Sequence, residues 1–69
     1  MSIFKLHDQR YSVDGRELAR ARAETGLNMS EFAYRCGWTP QYQWQLENDR
    51  VESVAEATKN VVEGALQNA

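Results

Sequence analysis

Apolar positions recur at helical spacing in several short stretches of this chain, and each stretch is flanked by residues that start or stop a helix. Between Asn28 and Gly37, the positions Met29, Phe32, Ala33 and Cys36 follow the i, i+3, i+4, i+7 pattern of one inward face. Asn28 is suited to cap this helix and Gly37 to end it. The next helix is predicted from about Pro40 to Asn48, with Thr39 at the cap and Pro40 at the first helical position, where its missing N–H costs nothing. Upstream, "DGRE" offers Asp14 as a cap with Glu17 three residues on, a reciprocal arrangement that satisfies orphan N–H groups. The Ala/Arg-rich run that follows predicts a helix from about Gly15 to Thr25, ended by Gly26.

Two outer segments complete the pattern. Beyond "NDRVE", Ser53 is the expected cap of a last helix in which Val54, Thr58, Val61, Val62 and Ala65 share a face. Gly64 lies inside it, at a cost of about 1 kcal/mol relative to Ala. Ahead of Asp14, Ile3, Phe4 and Leu6, then a polar "HDQR", then Tyr11 and Val13, predict a short hairpin or an irregular arm. The expected fold is therefore all-α, a compact bundle of about four helices with an N-terminal arm or β-hairpin, in one domain over residues 1–69. Residues 1–13 form the arm, 14–50 the core and 51–69 the C-terminal helix.

One inward stripe is unusual. Leu18 is the only large apolar residue on the first helix, and the positions one and two turns beyond it are Arg22 and Thr25. Burying that face carries a guanidinium partly inside, where it needs a carboxylate.

A chain of 69 residues buries only about 60% of the surface its unfolded form exposes, so there is no room for a second module. With 42% hydrophobic and 26% charged residues, composition is that of a globular protein. No apolar run approaches the roughly 20 residues of a membrane span, and the start of the chain lacks the apolar core of a signal peptide, so a soluble, cytoplasmic protein is expected. The lone Cys36 excludes an intramolecular disulfide and reads as a small buried hydrophobe, and His7 has no second ligand for a metal. Catalytic residues, a metal site and a cofactor are all unexpected, since no nucleophile–base pair, carboxylate dyad or phosphate-cradling Gly loop is present.

A helix, a turn containing Gly and a second helix with a polar outer face make an arrangement whose second helix can enter the DNA major groove. The order Arg22, "GLN" (26–28), "EFA" (31–33), "CGWT" (36–39) and "QLEN" (45–48) resembles the Cro and phage-repressor (Xre-type) helix-turn-helix family over about Asp14 to Asn48. The resemblance implies a buried ion pair between Arg22 and Glu47, which supplies the carboxylate that the first helix requires. It also implies base contacts from Thr39, Gln41 and Gln45, with Tyr42 beside them, and phosphate contacts from Asn28 and Asn48, with Arg50 nearby. Gln suits base reading because its amide can meet N6 and N7 of adenine together.

Four residues depart from the family pattern. Met29 stands where a phosphate-binding Gln is usual, Pro40 replaces a position able to offer a polar side chain, Asp49 replaces a turn Gly, and Gln43 replaces a buried Ile or Val. Gln43 must find hydrogen bonds, bear a desolvation cost or mark a rotated helix, and Trp44 becomes its outward neighbour, a candidate contact for a partner protein, a sugar-phosphate backbone or the N-terminal arm, with packing along the domain's own edge as the alternative. Lys/Arg and Asp/Glu balance over residues 1–50, so the net charge of −2 comes from the last segment, and a pI near 5.2 gives little non-specific attraction to DNA. The leading expectation is a sequence-specific regulator of transcription from a phage, plasmid or bacterial genome, binding double-stranded DNA as a homodimer and residing at the nucleoid when bound. The alternative is a protein-interaction module, such as an adaptor, antitoxin-like partner or inhibitor, on a scaffold that has lost DNA readout.

Overall fold

The computed structural model describes residues 2–68. A two-stranded antiparallel hairpin, β1 (Phe4–His7) and β2 (Arg10–Val13), precedes four helices, α1 (Gly15–Glu24), α2 (Met29–Cys36), α3 (Pro40–Glu47) and α4 (Glu56–Gln67). Of the two forms considered for the first segment, the hairpin is the one adopted. Its register pairs Phe4 with Val13 and Leu6 with Tyr11 around a two-residue turn in which Asp8 takes φ 58°, the positive value such tight turns demand.

The expected helices are present, with ends set by their caps. Thr25 and Asn48 lie just outside α1 and α3, as their capping residues. Asp14 accepts from the Glu17 N–H at 3.1 Å, but the reciprocal bond expected from Glu17 is not formed. Instead the Asp14 N–H donates to the Ile3 carbonyl at 2.8 Å, and Glu17 turns to Arg20. Around α2 the reciprocal box does form, between Asn28 and Glu31.

The last segment differs from expectation. Helix α4 begins at Glu56, not near Ser53, and Ala55 caps it without a side-chain bond. Residues 51–55 are instead an extended connection, in which Tyr11 and Val54 exchange two backbone hydrogen bonds of 2.9 and 2.8 Å. Ser53 accepts from Arg10 Nε at 2.7 Å, so its hydroxyl serves the hairpin and not a helix. The backbone preference for pairing with β2 outweighs the local capping signal. The C-terminal helix thus occupies 56–67 of the 51–69 assigned to it.

Phe4, Leu18, Phe32, Leu46, Val54 and Val62 meet in one buried cluster, so the hairpin, the connection and all four helices each contribute to the core. Val61, expected on the inward face of α4, is 40% exposed. Gly15 lets α1 start directly against the end of α3, since a Cβ there would lie 2.5 Å from the Glu47 carbonyl oxygen. No helix among the described residues is long and apolar enough to cross a membrane.

Candidate functional site

Helix α3 is held from behind by a chain of polar groups. Arg22 donates to Glu47 through Nε (2.7 Å) and Nη2 (3.1 Å), a forked pair with the Arg and Glu side chains only 16% and 5% exposed. Its remaining nitrogen, Nη1, donates to the Leu27 carbonyl at 2.8 Å, tying α1 to the loop that leads into α2. Gln43 is fully buried, and its position is explained by what flanks it. An indole N–H only donates and a carboxylate only accepts, so one amide can satisfy both. Trp38 Nε1 donates to Gln43 Oε1 at 2.9 Å, and Gln43 Nε2 donates to Glu47 Oε2 at 2.8 Å. Of the three outcomes weighed for Gln43, hydrogen bonding is the one found. Among the described residues, no buried side-chain polar atom lacks a partner.

This chain runs from the α2–α3 turn through α3 to α1, and it fixes which side of α3 faces out. Thr39, Pro40, Gln41, Trp44 and Asn48 are exposed, whereas Gln45 is half-buried. Tyr42 is also half-buried, its ring edge-on to Trp38 at 5.3 Å and packed against the core. Of the four residues expected to face bases, Thr39 and Gln41 are therefore the fully presented ones, and the Tyr42 ring is committed largely to packing. The Thr39 hydroxyl accepts from the Tyr42 N–H at 3.1 Å and retains its own proton for donation.

The three expected phosphate-side residues are all exposed. Asn28 uses its oxygen on the Glu31 N–H (2.8 Å), and its amide nitrogen has no partner among the described residues. Asn48 uses that nitrogen on the Trp44 carbonyl (2.9 Å), and its oxygen has no partner among the described residues. Arg50 forms no ion pair among the described residues, and its guanidinium lies over the Trp44 ring, 5.8 Å from the centroid.

Asp49, where the resemblance leads one to expect Gly, takes the left-handed conformation with φ 57°. Its carboxylate accepts from the Gly15 N–H at 2.9 Å, placing an anion at the positive start of α1. Three contributors were not anticipated from the sequence: Trp38 as donor to Gln43, Asp49 as a second cap for α1, and the pairing of residue 54 with β2. The only sequence signal for the first was a buried Gln five residues after a Trp.

Cys36, expected to be buried, is half-buried against the core, and desolvation there pushes its thiol up to about 11. No group of three or more His, Cys, Asp or Glu among the described residues is placed to hold a metal ion. Comparison with protein-family models, curated proteins and solved structures finds no match.

Proposed function

We propose that α2, the turn at Gly37–Thr39 and α3 form a helix-turn-helix, and that the chain is a sequence-specific DNA-binding regulator of transcription acting as a homodimer. The observation that carries this reading is the polar outer edge of α3, with Thr39 and Gln41 exposed while Gln43, Leu46 and Glu47 anchor the opposite side. A helix so fixed can enter a major groove with its side chains already aimed, and base edges that return the hydrogen bonds offset the desolvation of a polar edge. Gln41 and Gln45 read bases with Thr39, Tyr42 lines the same edge, and Asn28, Asn48 and Arg50 meet phosphates. The ion pair of Arg22 and Glu47 is structural.

The chain measures 32 × 21 × 20 Å and carries one such helix. Half-sites of a palindrome lie about 34 Å apart, so two copies are needed to occupy both. Binding selection from random duplexes, followed by salt titration, tests the reading. Affinity should fall steeply with salt, Gln41→Ala should relax preference at one base position, and Asn48→Ala should weaken all sequences alike. Absence of any salt-dependent duplex binding would reject it.

A second reading is favoured by exposed aromatic surface: Tyr34 is 86% and Trp44 43% exposed, on a chain of net charge −2. In that case the scaffold is a protein-interaction module, and binding to its partner survives the Gln41 and Asn48 substitutions.

A further inference from the structure

Three features meet at the end of α3. Asp49 turns left-handed, the Arg50 N–H donates back to the Gln45 carbonyl at 2.9 Å, and the Arg50 guanidinium returns over Trp44. The first two make a helix-ending motif in which the residue after the left-handed one commonly packs back on the last turn. That packing usually joins two apolar side chains. Here it joins a cation to an exposed aromatic ring, although Asp49 and Glu52 are close in sequence and would offer Arg50 a carboxylate.

Several other cations are engaged, although Lys5 and Arg16 form no ion pair among the described residues. Arg20, Arg22 and Lys59 are paired with carboxylates, Arg10 is bonded to Ser53, and Arg35 is bonded to the Asn68 carbonyl. Arg50 forms no ion pair among the described residues and lies beside the outer edge of α3, and its place over the Trp44 ring leaves its N–H donors available.

We infer that Trp44 is a positioning residue for DNA binding: it holds the Arg50 guanidinium against the rim of α3, set to meet a backbone phosphate beside the groove. This inference rests on the DNA-binding reading and names a residue through which that reading operates. The ring need not touch DNA. Its effect is to order the arginine before binding, so that less side-chain freedom is lost on contact. In a chain of net charge −2, an ordered cation at the groove edge adds directly to the phosphate interaction.

The test is a double-substitution cycle on the full chain, with a mixed-sequence duplex at several salt concentrations. Arg50→Ala should lower the salt slope by about 0.9 per bound chain, equivalent to about 3-fold less affinity lost between 50 and 200 mM salt. Trp44→Ala should weaken binding several-fold when Arg50 is present and by under about 2-fold when residue 50 is already Ala, the non-additivity expected of two residues acting as one. Trp44→Phe, which keeps a ring under the guanidinium, should restore most of the affinity. In the free protein, the side-chain protons of Arg50 should show ring-current shifts that Trp44→Ala abolishes, while circular dichroism reports whether the fold is kept. Losses that simply multiply in the double variant would overturn the inference, because Trp44 would then contact DNA or act on the fold independently. Failure of the wild-type chain to bind duplex at any salt would overturn the functional reading and the inference with it.

Discussion

At position 43 a single amide serves two groups that an aliphatic side chain would strand. Gln43→Leu leaves the Trp38 indole N–H without its acceptor and removes a donor from Glu47, so it should lose about 1–3 kcal/mol in denaturant unfolding. Arg22→Ala leaves the Glu47 carboxylate buried against Gln43 alone and should cost about 3–5 kcal/mol by the same measurement. The arginine could be placed from sequence because the inward stripe begun by Leu18 runs into it within one turn. The Gln43–Trp38 contact could not, since it crosses a turn and follows no helical period. For Cys36, burial raises the folded thiol to about 11 from an ordinary 9.0, so the unfolded chain releases the proton first. Stability should therefore be unaffected at neutral pH and decline as pH rises from about 9 through 11. Alkylation at pH 8 should be much slower for the folded chain than for the chain in urea, and equal rates would contradict the assignment.

Among the elements, the same substitution should act with opposite sign at two glycines. Gly15→Ala drives a Cβ into the backbone of α3 at Glu47 and Leu46, both immovable neighbours, and should destabilise by about 1–3 kcal/mol or more. Gly64→Ala meets nothing within 4 Å inside α4 and should stabilise by about 0.5–1 kcal/mol. Thermal unfolding of the two variants beside the wild type decides both. Helix positions were legible because Asn28 and Thr39 cap a helix with their own side chains, while Gly26 and Gly37 tolerate the positive φ (84° and 89°) of a helix ending. Ser53 misled for the opposite reason: its capping tendency is worth about 1 kcal/mol, less than the two backbone bonds and the buried Val54 side chain gained by pairing with β2. That pairing joins residues far apart in sequence, which no local pattern records.

On the scale of the whole molecule, charge and size make the proposed function depend on assembly. With a net charge of −2, one chain has little general attraction for DNA, so under the proposed function specific affinity is expected from two copies acting together. Sedimentation of the complex with a selected palindromic duplex should therefore give two chains per site, and a stable complex of one chain would count against the homodimer. The polar edge of α3 was legible in sequence once its buried side had been identified, whereas the stacking of Arg50 on Trp44 required the backbone path of the loop. Phe4 in the core and the mutual bonds of Tyr11 and Val54 give the hairpin a share in the same cooperative unit as the helices. Each of those two amide protons is shielded only while the other residue's carbonyl stays in place, so deuterium should enter both at a common rate. Their exchange is a built-in clock for how often the first and last thirds of the chain part company.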